Sequence, residues 1–311
     1  MRRWFLPILI LMGLALPPIP LAAQDDARDR IAAAYEDAAT WQTFQAKMED
    51  TLSYVATAQG YNTLTWQRHN RALDLQATYD RSDDPEPIAR LAIEARAATA
   101  IGNNNDTSET GWEIALDAAA VGGETFWQGT ITTTPDDGFV LPDEWEPFGA
   151  EDAAQSPALA GLRLAEMLQP GTLNVDAEAW LQVAGSVEGP EMVNIDRRTR
   201  GELYTIEIAL ADLPEALPEP FWPLTGGESP IVAVDTLHNA LLEDSILTWY
   251  VALDPSTGRL LLQTVEMRLS AELGPEEIAE DFRSLSVEAS QSQTVVFSAV
   301  NEPLGEIDLP G

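Results

Sequence analysis

Few residues in this chain could do chemistry, and they are spread thin. There are two histidines, His69 and His238, and no cysteine. An imidazole works as a general base or a metal ligand only where a nucleophile, an acid or further ligands converge on it. His238 stands beside Leu237 and Leu241 in a stretch with helical spacing, and reads as a packing or surface residue. His69 falls in a polar patch with Arg68 and Arg71, and reads as part of a solvated strand face. Gly185-Ser186 lacks the Gly-x-Ser-x-Gly context that exposes a nucleophilic serine. Asp80, Asp83 and Asp84, and separately Asp136 and Asp137, could gather a calcium ion. Neither stretch has the spacing of a calcium loop, and turn chemistry accounts for both. Asn105-Asp106-Thr107 fits a glycosylation sequon, which matters only in a host that glycosylates exported proteins. The expectation is therefore no catalytic set, no metal and no cofactor, and the chain is not read as an enzyme.

The charge balance narrows the partners. The 311 residues carry a formal net charge of -34, and Lys47 is the only lysine. No arginine cluster forms a basic stripe, so nucleic acid is excluded as a partner. Docking on anionic lipid is unfavourable for the same reason. Solubility in a salty or otherwise demanding exterior accounts for the acidity. Without cysteine there is no disulfide, no thiolate site and no thiol to carry a lipid.

Residues 1 to 23 read as an export signal. Arg2 and Arg3 form the positive end, Phe5 to Leu16 the apolar run, and Leu21-Ala22-Ala23 the cleavage site. An uncut membrane anchor is the alternative. The apolar run is short for a span and is broken by Pro17, Pro18 and Pro20, which favours cleavage. No later run is long enough to cross a bilayer, so the mature chain, 24 to 311, is read as one domain outside the cytoplasm, periplasmic or extracellular.

The elements that would position any site are mostly strands. The clearest runs from Leu247 to Leu273. Apolar residues fall on every second position of both arms, the period of a half-buried strand. Val265, Met267, Leu269, Ala271 and Leu273 face one way, while Glu266, Arg268, Ser270 and Glu272 face the other. Between the arms, Asp254-Pro255-Ser256-Thr257-Gly258 is a turn, with Pro255 preset for its second position and Gly258 free to take a left-handed conformation. Such a hairpin must have its oily face covered.

Upstream, Asp25 to Ala39 predicts a short helix. Phe44 to Ala56 alternates, with only Asp50 breaking the apolar parity. Phe44, Met48, Leu52 and Val55 also fit one face of a helix, and strand is the preferred reading. Leu64 to Tyr79 alternates with a parity slip near Asn70, as a bulge would cause. Leu91 to Ala97 and Trp112 to Ala118 alternate again, and Gly122-Gly123 turns the chain towards Phe126-Trp127 and Ile131. This is a meander with no βαβ alternation.

An acidic, proline-bearing stretch over 133–158 holds Trp145 and Phe148. Ser156-Pro157 caps a predicted helix that ends before Pro170-Gly171. Strands are expected at Leu173 to Val183 and Glu202 to Leu210. Leu213 to Pro230 is a second proline-rich stretch and holds Phe221-Trp222. A helix starting at Ser229-Pro230 lines up Val234, Leu237 and Leu241. Pro275 to Ile278 predicts a helical turn, and strands at Leu285 to Ala289 and Thr294 to Val300 close the chain. The four aromatics in proline-rich connections either plug the ends of the sheet or form an apolar lip around a cavity mouth.

The order of these elements, the Trp249-to-Gly258 hairpin and the ending Val296-Phe297, Asn301-Glu302-Pro303-Leu304 and Ile307 to Pro310 carry a resemblance. The chain resembles the LolA/LolB-like superfamily, and within it the LppX/LprG-type envelope lipoproteins. The resemblance implies an α+β fold, a curved antiparallel sheet forming an incomplete half-barrel, with helices packed over its concave face. In that family the space between sheet and helices holds acyl chains. Members carry lipids or lipoproteins across the envelope, and a related branch regulates sigma-factor signalling. The LppX/LprG type is tethered through a lipidated cysteine, which this chain lacks, while the LolA type is soluble.

These readings converge on a carrier for a lipid or other apolar small molecule. Met48, Leu75, Ile93, Leu116, Leu237, Trp249, Val265, Met267 and Leu269 are the expected ligand-binding residues. Binding would come from burying acyl chain, at about 0.8 kcal/mol per methylene, with little directional hydrogen bonding. The rival is a sensor or regulatory domain of the same fold with an envelope protein as partner; a packed, ligand-free core favours it.

Overall fold

A computed structural model describes residues 21–82, 87–136, 138–149, 159, 162, 164–213, 231–243 and 245–304. The strands are β1 Thr43–Gly60, β2 Leu64–Asp80, β3 Ile88–Gly102, β4 Thr107–Val121, β5 Glu124–Thr134 and β6 Glu146–Pro147. They continue as β7 Ser186–Asn194, β8 Arg200–Ala209, β9 Ile246–Leu253, β10 Leu260–Leu273 and β11 Phe282–Ser298. All join one antiparallel sheet in the order β6-β5-β4-β3-β2-β1-β11-β10-β9-β8-β7. Each half is a meander, and the first and last strands zip the halves together. The sheet is open, since β6 and β7 are edges. The expected fold class, an antiparallel sheet with helices on one face, is the observed one.

The helices are α1 Leu21–Ala39, α2 Leu164–Met167, α3 Ala177–Val183 and α4 Val234–Glu243. Helix α1 packs on β7, β9 and β10, α3 on β8, and α4 on β10. On α1, Ala27, Ile31, Ala34, Tyr35 and Ala38 are buried, the stripe expected of an amphipathic helix. The Tyr35 ring meets Trp249 edge-on at 5.5 Å, and Trp180 of α3 meets the same indole at 5.4 Å. Among the described residues no helix is long and apolar enough to cross a membrane.

The hairpin forms as its alternation requires. Asp254 accepts from the backbone N–H groups of Ser256 at 2.9 Å and Thr257 at 2.8 Å, and Gly258 has φ 73°. Its carboxyl is held down at about 2 by the Ser256 hydroxyl, at 2.6 Å, and by these backbone donors.

Four expectations are corrected. Leu173 to Val183 is not a strand. A 3-10 turn, Pro170–Leu173, leads into α3, where Asp176 caps the helix by accepting from Ala179 N at 3.1 Å. Leu285 to Ala289 and Thr294 to Val300 are not two strands but parts of the continuous β11. The parity slip near Asn70 is not a bulge, because β1 and β2 stay in register from Thr43↔Asp80 to Gln59↔Leu64. Instead the polar residues Gln67, His69 and Arg71 occupy the inner parity, and Leu64 and Trp66 the outer one. Finally, His69 is not on a solvated face, as its contacts below make clear.

Residues 1–20 of the expected export signal, Asp83 and Asp84, Asp137, Ser156-Pro157, Phe221-Trp222, Ser229-Pro230 and the Ile307-to-Pro310 ending lie outside the described residues, while Leu21 to Ala23 of that signal form the start of α1.

Candidate functional site

Strand alternation gives the sheet one apolar face across β1 to β4 and β8 to β11. Met48, Leu75 and Ile93 sit side by side through the pairs Met48↔Leu75 and Leu75↔Ile93, and Ile93 continues to Leu116. Trp249 pairs with Val265, and Met267 and Leu269 follow on the same parity of β10. Leu237 reaches this layer from α4. All nine expected residues therefore belong to one apolar layer, each between 0% and 7% exposed. Trp145 and Phe148 act locally: Phe148 packs on Trp127 at 5.0 Å, and the Arg90 guanidinium lies 5.6 Å from the Trp145 ring.

Coverage of the inner face is uneven. Along β3, exposure rises from 0% at Leu91 through 5% at Ala95 to 43% at Ile101. Along β4 it rises likewise, from buried Ile114 through half-buried Trp112 to exposed Thr110. The face is thus sealed near Tyr79, Leu75 and Trp249 and opens at one corner of β2, β3 and β4.

Just inside that corner the apolar layer is interrupted by polar side chains. Asp50 accepts from Arg71 Nη2 at 2.7 Å and from Gln291 Nε2 at 3.1 Å. Tyr54 accepts from Gln67 Nε2 at 3.0 Å. His69 stacks on the Tyr54 ring at 5.3 Å, and its Nδ1 lies 2.8 Å from Thr99 Oγ1. Register explains the grouping: Arg71 and Gln291 both flank Leu52, and His69 pairs with Tyr54. Burial, with the Arg71 charge beside it, pushes the His69 pKa below its ordinary value, and burial alone pushes the Tyr54 phenol upward. Arg71 Nε, Gln67 Oε1 and Gln291 Oε1 are buried without hydrogen-bond partners.

The sequence signalled each part of this cluster separately. Asp50 broke the parity of β1, Asn70 marked the slip in β2, and the polar run Ser290 to Gln293 split β11 in two. Gln67, Arg71 and Gln291 were missed as site candidates because nothing local links three anomalies on three strands.

A second buried relay joins helix to sheet. Tyr35 donates to Gln263 Oε1 at 2.6 Å, and Gln263 Nε2 donates to the Leu173 carbonyl. Burial pushes the Tyr35 phenol well above its usual range, so it stays a donor. On the opposite face of the sheet, a groove of about 690 Å³ crosses β1 to β5, with Ser53, Asn70, Ala98, Gly111 and Thr134 along its floor. None of the nine apolar residues lines it. Among the described residues no three acidic or histidine side chains are grouped to hold a metal ion.

No protein-family model matches the chain, and no curated protein matches it. Among solved structures, a DUF1329 family protein from Desulfovibrio piger is similar at 11% identity, with 92% of this chain and 95% of that one covered and a TM-score of 0.18. A β-barrel-like protein of the DUF1849 domain from Brucella abortus is similar at 8% identity, covering 84% and 99%, with a TM-score of 0.18. The translocator domain of the autotransporter NalP from Neisseria meningitidis is similar at 11% identity, covering 88% and 96%, with a TM-score of 0.15.

Proposed function

We propose that the chain is an exported, non-catalytic carrier that binds a lipid or other apolar molecule against the inner face of its open sheet, as in the LolA/LolB-like and LppX/LprG-type proteins it resembles. The observation that carries this reading is the exposure gradient along β3, closed at Leu91 and open at Ile101. Here one end presents apolar and polar side chains to solvent together, the arrangement an acyl chain with a polar end would enter. Helices α1, α3 and α4 cover the part of the face over β7 to β10 instead of a second sheet, so widening the space there requires helices to shift, not ladder bonds to break.

Organic extraction of protein purified from its native host, followed by mass spectrometry, tests the reading. A stoichiometric apolar compound is expected. Clean extracts, together with no uptake of lipid from vesicles, would overturn it. The competing reading, a sensor or regulatory domain with an envelope protein partner, is favoured by the tight packing of Tyr35, Trp180 and Trp249 on the β9 side of the face. Under that reading native material would carry a co-purifying protein and no lipid.

A further inference from the structure

Resting on the carrier reading, we infer that the cluster around Asp50 is a seat for the ligand's polar end, and that this end is uncharged and bears a hydroxyl group. Three facts carry the inference.

The first is the unmet hydrogen bonding. A buried polar atom without a partner costs free energy, so native proteins seldom leave several together. Here Arg71 Nε, Gln67 Oε1 and Gln291 Oε1 are all left over, and Gln67 is only 6% exposed. Two of these atoms accept and one donates. An ester carbonyl would satisfy the Arg71 N–H, and a hydroxyl would donate to a glutamine carbonyl. A head with both kinds of group answers the pattern.

The second is charge. Arg71 is already neutralised by Asp50, and the lowered pKa of His69 keeps that ring uncharged near neutral pH. An anionic head would meet the Asp50 carboxylate with no free cation in the cluster to offset it, and a cationic head would meet Arg71. A neutral head avoids both costs.

The third is place and size. Arg71 and Gln291 lie two strands apart, about 10 Å, and Gln67 is four residues along β2 from Arg71, about 13 Å. These spans suit a glycerol-sized head with its ester groups. The Arg71 side chain is 20% exposed, so the cluster is not fully sealed from solvent. The apolar residues Leu73, Ala95, Ile93 and Leu116 lie deeper on the same face, where acyl chains would run.

The test measures binding of three probes to the full chain: 1,2-dioleoylglycerol, its 3-O-methyl ether, and dioleoyl phosphatidic acid. The ether replaces the hydroxyl donor with a methoxy group, and the acid adds charge. Dioleoylglycerol should bind about tenfold more tightly than either, the worth of one buried hydrogen bond. The double variant Gln67→Met, Gln291→Met should bring dioleoylglycerol down to the affinity of the ether and leave the ether unchanged. Equal binding of all three probes by the native protein, or preference for the acid, would overturn the seat while leaving the carrier standing. Binding of none would overturn both. If the double variant fails to fold, the ranking in the native protein decides alone.

Discussion

Arg71 reaches across from β2 to place Nη2 2.7 Å from the Asp50 carboxylate on β1, and both side chains point to the face that the rest of the sheet keeps apolar. Asp50 is 5% exposed. A buried charge of this kind is tolerated only while paired, because each ion has given up water for its partner. The Gln291 amide adds a second donor from β11, so the pair ties the seam between the two halves of the sheet.

Breaking that pair from one side is therefore costly. Asp50→Leu leaves the guanidinium without its anion and should destabilise the protein by about 3 kcal/mol, the low end for a buried pair because Arg71 is partly exposed. The double variant Asp50→Leu, Arg71→Met should recover most of the loss. Urea unfolding measures both. A single variant as stable as the parent would show that the pair contributes nothing.

His69 sets a pH dependence with a defined sign. Its folded pKa lies below the unfolded value of about 6.5. As pH falls below that value the unfolded chain takes up a proton first, so stability is full above about pH 6.5 and declines as pH falls towards the folded pKa. His69→Gln should flatten that part of the stability–pH curve. An unchanged curve would mean that the ring titrates as it does in the unfolded chain.

Asp254 acts in the opposite range. Its carboxyl is held near 2, below the ordinary 3.8, so the stability it supplies is present above about pH 3.8 and is lost as pH falls through about 2. Asp254→Ala removes the acceptor for two backbone donors of the turn and should cost about 1 kcal/mol at neutral pH. The difference between parent and variant should shrink in strong acid. A difference that persists below pH 2 would assign the effect to something other than the ionised carboxylate.

Ala97 lies halfway along the β3 gradient, between buried Ala95 and the open corner. Ala97→Trp should obstruct the entry to the inner face. The expected result is a folded protein, judged by its thermal transition, that takes up markedly less lipid than the parent. Undiminished uptake would place the entry elsewhere.

Local pattern alone determined much of this protein. The alternation of Val265, Met267 and Leu269, or of Leu91, Ile93 and Ala95, specifies a strand and its buried face before any partner is known, because successive side chains must point to opposite sides. The turn at Asp254 to Gly258 is equally local. From these came the antiparallel meander, the covered apolar face and the nine residues on it. Leu173 to Val183 misled, since a short alternating run with Trp180 and Leu181 suits helix or strand, and the Asp176 cap with packing against Trp249 decides for helix. The polar cluster needed the tertiary structure. Asp50, Arg71 and Gln291 are 21 and 241 residues apart along the chain, and only the β1–β2 and β1–β11 registers bring them to one carboxylate. Each looked like an interruption of its own strand, because alternation reports which face a side chain takes and says nothing of what stands beside it on that face.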